Sequence, residues 1–477
     1  MEAGKLHIMM FPWLAFGHII PYLELAKLIA GKGHRISFIS TPRNIDRLPE
    51  LPPDLSPLIT LIKLPLPPHA NLPQGAESTT DISYDKVKHL KISYDGLREP
   101  FAQLLRSSSP DWLFFDFTSY WVPTVAAEIS IPTAFFFIFN AAFSAFLGPV
   151  PVLMGTEDYR TKPEDFTVAP KWIPFKSTLR YLPFEIARIF NDSVSGNDEN
   201  ISDIFRIGAA IKGCDLVLLK SCSEFEPEWF NLLEELHQKP VIPTGLLPVT
   251  PDDGSDGGVG WREIKEWLDE QGKGSVVYVA FGSEAKLSQD ELTQIANGLE
   301  LSGLPFFWVL KKLSGLGDGD EQIELPDGLE ERTKGRGMVW TSWAPQPKIL
   351  SHDSVGGFLT HGGWGSLVEG IQFGRVLILL TFLSDQGINA RIMEEKKLGY
   401  SIPRDELDGS FTGNSVAESL RLVMVEEGGQ PYRDKVKEMS RLFGDRDRQD
   451  RYVDNLLANL QNPRWVGSTR TSNSKTV

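Results

Sequence analysis

The chain has 477 residues, 41 % hydrophobic and 23 % charged, an ordinary globular balance with room for two or three domains. Its 48 basic and 63 acidic residues leave a net charge of −15, which argues against nucleic acid as a partner, because covering phosphates needs a basic face. Two cysteines, Cys214 and Cys222, are too few for a disulfide framework or a zinc cluster and fit free thiols in a reducing, cytoplasmic setting.

From Met1 the chain runs straight into an apolar strand, Leu6 to Pro12, with no charged-then-apolar leader. Ile19 to Ala30 has helical spacing and stops at Gly31 and Gly33. Arg35 to Ser40, Leu58 to Leu64 and Trp112 to Phe115 continue as strands. Strands separated by helices predict a parallel sheet covered on both faces. The uncharged run Ile131 to Gly155 is long enough to span a bilayer, but Pro132, Pro149 and Pro151 punctuate it and Asn140 and Ser144 interrupt it. It reads as a buried strand, Thr133 to Phe139, then a buried helix, without membrane insertion. Between Glu157 and Asp203 the periodicity weakens, as in a lid or binding loop. Leu216 to Lys220 and Val241 to Thr244 restore strands.

Residues 248–260 are rich in Pro, Asp, Gly and Ser and predict a linker. The alternation then restarts with the strand Ser275 to Phe281, and Ser288 to Glu291 forms a capping box that opens a helix. Phe306 to Leu310, Met338 to Trp340, Gly357 to Thr360 and Leu377 to Leu380 are further strands. Helices are expected over Pro431 to Phe443 and Asp447 to Leu460, followed by a Ser-, Thr- and Lys-rich tail of disordered composition. The expected organisation is thus two doubly wound α/β units, 1–247 and 261–443, facing a cleft. A last helical segment, 444–462, and a tail, 463–477, complete it.

One strand-to-helix turn stands out. Gly357 to Thr360 ends at His361; Gly362, Gly363, Trp364 and Gly365 follow, and a helix starts near Ser366. Small residues there let a ligand approach the backbone, and a helix N-terminus offers N–H groups to phosphate. Read alone, the turn is equally an ordinary βα connection. It lacks the G-x-G-x-x-G fingerprint and a following acidic residue, which weakens a nicotinamide reading. A second pair is His18, at the start of a helix, and Asp116, just past the strand Trp112 to Phe115. A helix N-terminus favours neutral imidazole, able to take a proton, and a carboxylate could hold its tautomer. A lone histidine there can as well be structural. His7 reads as structural, and His34, His69, His89, His237 and His352 as surface or loop residues.

The whole segment WAPQPKILSHDSVGGFLTHGGWGSLVEGIQFGRVLILLTFLSDQ, Trp343 to Gln386, resembles the signature of plant secondary-product UDP-glycosyltransferases. FPWLAFGHIIPYLELAKL, SSSPDWLFFDF, SCSEFEPEW and VVYVAFGSE resemble the same family in the expected order, so the likeness covers essentially the full chain. In detail it is similar to the branch of glycoside-modifying rhamnosyl- and glucosyltransferases. The resemblance implies the GT-B fold: two Rossmann-like domains facing a cleft, with the C-terminal helix crossing back onto the first. It implies an inverting transfer of a hexose, glucose or rhamnose, from a UDP-sugar to a hydroxyl of a flavonoid, a terpenoid or a glycoside of either, with His18 as general base and Asp116 assisting. Trp343 would stack on uracil, the Ala344 backbone would read its edge, and Gln346 would lie near the ribose that Glu369 holds. His361, Ser366 and Ser283 would bind the diphosphate, and Trp364, Asp385 and Gln386 the sugar. Gly365 replaces a common Asn, which puts one sugar or phosphate hydrogen bond in doubt. Gly362 replaces a common Cys or Ser, with little effect expected. Val376 and Thr381 stand where Pro is usual or frequent. Phe117, Trp121 and Phe139 are candidates for an apolar acceptor pocket. The partners implied are a UDP-sugar and a small apolar or glycosylated acceptor, for a monomer with no cofactor and no metal. Asp318-Gly-Asp320 reads as a solvated loop and not as a metal motif. The alternatives are an inactive UDP-sugar-binding sensor and, further off, a nicotinamide-dependent dehydrogenase.

Overall fold

The structure, a computed structural model, describes residues 4–157, 160–196, 200–251, 260–282, 287–310 and 324–462. The chain divides into two compact units. The first comprises Met1–Thr161, Asn191–Leu247 and Arg446–Val477; the second comprises Lys162–Phe190 and Pro248–Asp445.

Among the described residues, the first unit holds a seven-stranded parallel sheet: β1 (His7–Phe11), β2 (Arg35–Ser40), β3 (Ile59–Lys63), β4 (Trp112–Phe115), β5 (Thr133–Phe137), β6 (Leu216–Leu219) and β7 (Val241–Pro243). Their spatial order is β3-β2-β1-β4-β5-β6-β7. Strands β4, β5 and β6 are buried at every residue, the signature of a parallel sheet covered on both faces. The helix Phe16–Gly31 sends Ile19, Tyr22, Leu23 and Ala26 into a core shared with Ile8, Met10 and Phe114.

The helix Arg446–Leu460 completes this same core with Val453, Leu456 and Leu460, each buried side chain contributing roughly 2 kcal/mol. Two side chains fix it to the sheet. Trp112 Nε1 donates to the Leu460 carbonyl at 3.0 Å. Gln449 donates to the Thr244 carbonyl at 2.7 Å and accepts from Leu247 N at 2.9 Å.

The second unit holds β8 (Val276–Ala280), β9 (Phe306–Val309), β10 (Gly337–Trp340), β11 (Val355–Thr360), β12 (Val376–Leu379) and β13 (Gly399–Ser401), ordered β10-β9-β8-β11-β12-β13 and all parallel. The expected capping box is present: Ser288 Oγ accepts from Glu291 N, and Glu291 accepts from Ser288 N at 2.9 Å.

The sequence expectation differs from the structure in several places. Residues 162–190, assigned to the first half, make their contacts within the second unit. The uncharged run resolves into β5 and the short helices Ala141–Leu147 and Val150–Leu153, the former capped by Asn140, whose Oδ1 accepts from Phe143 N at 2.8 Å. Among the described residues no helix is long and apolar enough to cross a membrane. Most of the linker, the Asp318–Asp320 loop and the tail from 463 lie outside the described residues.

His34 and His237 are buried, not superficial. His34 Nδ1 accepts from Leu6 N at 2.9 Å. His237, at the end of the helix Pro227–His237, has no hydrogen-bond partner on either ring nitrogen among the described residues, and burial pushes its pKa from 6.5 down to about 4. The folded state keeps this ring neutral, whereas the unfolded state takes a proton below about 6.5. This contribution to stability is therefore full above pH 6.5 and is lost as pH falls towards 4, by roughly 3 kcal/mol in all. His237→Leu is expected to be no less stable than the parent at pH 7, and its urea midpoint should fall less between pH 7 and pH 4.5. Parallel pH profiles for the two proteins would place the acid sensitivity elsewhere.

Candidate functional site

Ligands in open α/β sheets bind beyond the carboxyl ends of the strands, where the strand order reverses. In the first unit that point lies between β1 and β4, which pair in parallel with Phe11 beside Phe115. The chain leaves β1 for the helix Phe16–Gly31, which begins earlier than its apolar spacing suggested and carries His18 in its first turn. Leaving β4, it reaches Asp116. The register thus brings two residues far apart in sequence together: His18 Nδ1 and Asp116 Oδ2 are 2.8 Å apart. Asp116 is 1 % exposed, and its carboxylate also accepts from Trp13 N at 3.1 Å and Phe117 N at 2.8 Å. With Nδ1 donating to a carboxylate, the lone pair of the ring sits on Nε2, the tautomer a proton acceptor needs.

Aromatic rings border this imidazole. Phe117 and Phe139 lie with ring centroids 5.7 Å from that of His18. Trp121, expected beside them, instead packs edge-on against Phe101 at 5.6 Å and tilted against Phe11 at 6.3 Å, within the core. Trp13 was not anticipated. Its backbone N–H holds Asp116, and its ring meets Phe117 at 6.4 Å.

In the second unit the order reverses between β8 and β11. Strand β8 leads to Phe281 and Gly282, while Ser283 lies outside the described residues. Strand β11 leads to His361, Gly362 and Gly363, and the helix Trp364–Gln372 follows, two residues earlier than expected. The His361 ring is enclosed by glycine backbone. A Cβ on Gly282 would lie 2.9 Å from its Cε1, and one on Gly363 only 2.6 Å from its Nε2. Burial pushes the His361 pKa down to about 4, so near neutral pH the ring is an uncharged hydrogen-bonding group. Gly362 has a φ of +90°, in the region that glycine adopts without strain.

Gly365 and Ser366 fall in the first turn of this helix, where N–H groups lack intrahelical partners, while Trp364 is buried. One turn on, Glu369 accepts from Gln346 Nε2 at 2.8 Å, and Tyr278 Oη donates to Gln346 Oε1 at 3.4 Å. Tyr278 lies on β8 and had no signal of its own in the sequence beyond a strand-core aromatic. Trp343 is 72 % exposed, a large flat apolar surface fixed at its backbone by the Trp340 Nε1 hydrogen bond to its carbonyl, 3.1 Å. Ala344, half-buried, follows it.

Past β12, Asp385 and Gln386 are both buried at the start of the helix Gln386–Glu395. Gln386 Oε1 accepts from Phe382 N at 2.8 Å and Leu383 N at 2.9 Å, which closes the loop on itself. Asn389 Nδ2 donates to Asp385 Oδ2 at 2.5 Å and to the Gly362 carbonyl at 2.9 Å, tying this loop to the glycine turn. Asn389 sits four residues after Asp385 on one helix face, a spacing from which it could have been found. Val376 simply opens β12 beside Gly357.

Residues 260–453 match the family model described as UDP-glucoronosyl and UDP-glucosyl transferase. The chain is 54 % identical over 462 residues to UDP-glycosyltransferase 91A1 of Arabidopsis thaliana, covering 96 % of this chain and 97 % of that one. It is 43 % identical over 467 residues to soyasaponin III rhamnosyltransferase of Glycine max, covering 96 % and 95 %. Its fold is similar to that of Phytolacca americana UGT2, solved with UDP-2fluoro-glucose and pterostilbene, at a TM-score of 0.74 and 24 % identity over 97 % of this chain and 100 % of that one. Two Rossmann-like parallel sheets of the GT-B class, together with full-length relatives at this identity, establish that the chain belongs to the plant family 1 UDP-glycosyltransferases.

Proposed function

We propose that this UDP-glycosyltransferase moves a hexose, glucose or rhamnose, with inversion to a hydroxyl of a plant small molecule, a flavonoid or terpenoid or a glycoside of one. The observation that carries the mechanism is the 2.8 Å His18–Asp116 pair at the β1/β4 switch point. His18 Nε2 takes the proton as the acceptor oxygen bonds to the anomeric carbon, and Asp116 balances the imidazolium. The bond from that carbon to the diphosphate oxygen breaks, and UDP leaves with the electron pair. Phe117 and Phe139, flanking the base, suit an apolar acceptor.

The second unit supplies the donor contacts on this reading. The exposed ring of Trp343 stacks on uracil, and the Ala344 backbone reads its edge. Gln346 and Glu369, already joined, face the ribose. Neutral His361, Ser366, Gly365 and the N–H groups of their helix absorb diphosphate charge, with Ser283 adding a contact. Trp364, Asp385 and Gln386 serve the sugar. Helix termini take the role a metal could otherwise fill, and the enzyme works as a cytoplasmic monomer. The relatives support both sugars: one is named a rhamnosyltransferase, and one solved structure holds a fluoro-glucose donor. The saponin in the first name and the stilbene in the second title support terpenoid-glycoside and phenolic acceptors.

A panel of UDP-glucose, UDP-rhamnose, UDP-galactose and UDP-xylose against flavonoid and terpenoid glycosides, read as UDP release and product anomer, tests this. Inverted product from UDP-glucose or UDP-rhamnose is expected. UDP binding without acceptor-dependent UDP release would instead favour a sensor.

A further inference from the structure

We propose that Tyr181 and Glu185 are positioning residues for the donor sugar, forming a brace that fixes the loop carrying Asp385 and Gln386. The inference rests on the assignment of that loop to the sugar. Its basis is the unexpected membership of residues 162–190 in the second unit.

The brace grips the loop on both sides. Tyr181, 3 % exposed, donates from its hydroxyl to the Ser384 carbonyl at 2.8 Å. Ser384 has a φ of +55°, a left-handed conformation that a residue with a side chain keeps only when its surroundings hold it there. It directly precedes Asp385. Glu185, 4 % exposed, accepts from Thr381 Oγ1 at 2.7 Å, and Arg391 lies 3.3 Å from its other oxygen. Its carboxylate rests against Gly387, where any side chain would collide with it. A negative group over the first turn of the helix Gln386–Glu395 is well placed for the helix dipole. Glu185 is itself fixed by accepting from Leu182 N at 2.8 Å at the start of its own helix. Thr381, Ser384 and Gly387 therefore bracket Asp385 and Gln386, and each is met by Tyr181 or Glu185.

None of these contacts reaches Trp343, Gln346 or Glu369, so the brace should govern how the sugar is held and not how UDP is held. Thr381, whose hydroxyl donates to Glu185, is the polar handle the brace requires.

The test is Tyr181→Phe and Thr381→Val, each removing one hydroxyl, with Thr381→Ser as the conservative control and Asp385→Ala as a reference. Both removals should raise KM for the UDP-sugar about fivefold, the weight of one hydrogen bond. They should narrow the preference between UDP-glucose and UDP-galactose, leave the Kd for UDP alone within about twofold, and change kcat little. Thr381→Ser should stay near the parent. If UDP and UDP-sugar weaken together, or if neither moves in Tyr181→Phe while Asp385→Ala weakens the donor, the brace is refuted. If Asp385→Ala leaves donor KM and sugar preference untouched, the assignment of the loop to the sugar fails, and the brace with it.

Discussion

His18→Ala is expected to lower kcat/KM for transfer by roughly 10²–10⁴-fold, the range a positioned general base supplies. The UDP affinity of the same variant should be unchanged, because the residues assigned to UDP all belong to the second unit. Steady-state transfer and UDP titration on one preparation make the comparison. A variant keeping more than a tenth of parental activity would show that the hydroxyl proton leaves by another route. The expectation follows from geometry: Asp116 fixes Nδ1 as the donor, so Nε2 is the nitrogen with a lone pair to offer.

Asp116→Asn should be nearly as damaging, by roughly 10²–10⁴-fold, although it changes no volume. The Asp116 carboxylate accepts from His18 Nδ1 and Trp13 N on Oδ2 and from Phe117 N on Oδ1. An amide has only one oxygen. Turned one way, its NH₂ group meets Trp13 N–H and forces the His18 proton onto Nε2, the wrong tautomer. Turned the other way, it meets Phe117 N–H instead, so in either arrangement one buried backbone donor goes unsatisfied, costing about 1–3 kcal/mol of stability. Steady-state transfer and the thermal midpoint, read on one preparation, check the loss of rate and the loss of stability. The double variant His18→Ala/Asp116→Asn should be no slower than His18→Ala alone, since the carboxylate acts only through the imidazole. Additive losses would give Asp116 an independent role.

Much of the fold was legible because parallel strands buried on both faces are short continuous apolar runs. WLFF and TAFFF announce β4 and β5 within a residue or two. The three-residue β13, Gly399–Ser401, offers no such run and has no signal in the sequence. The His18–Asp116 pair was legible because His18 lies in the first turn of the helix after β1 and Asp116 directly follows β4, and the parallel register of these neighbouring strands does the rest. The placement of 162–190 was not legible. Proline-rich chain without periodicity carries no local sign of its partner, and here the partner, Thr381 to Gly387, lies some two hundred residues on. Trp121 shows the complementary failure. An aromatic beside a site and an aromatic in the core have the same letter, and only its packing against Phe11 and Phe101 tells them apart.

The return of the helix Arg446–Leu460 to the first unit, together with the membership of 162–190 in the second, governs how this chain can be recombined with a relative. A chimera joined once, at the stretch near residue 248, inherits a first sheet from one parent and the helix that seals it from another. Its Trp112–Leu460 and Gln449–Thr244 bonds then join surfaces selected apart. It also separates Tyr181 and Glu185 from the loop they touch. On the proposed assignment of acceptor to the first unit and donor to the second, exchanging one and keeping the other takes four junctions, at about 161, 190, 247 and 446, where the units themselves divide.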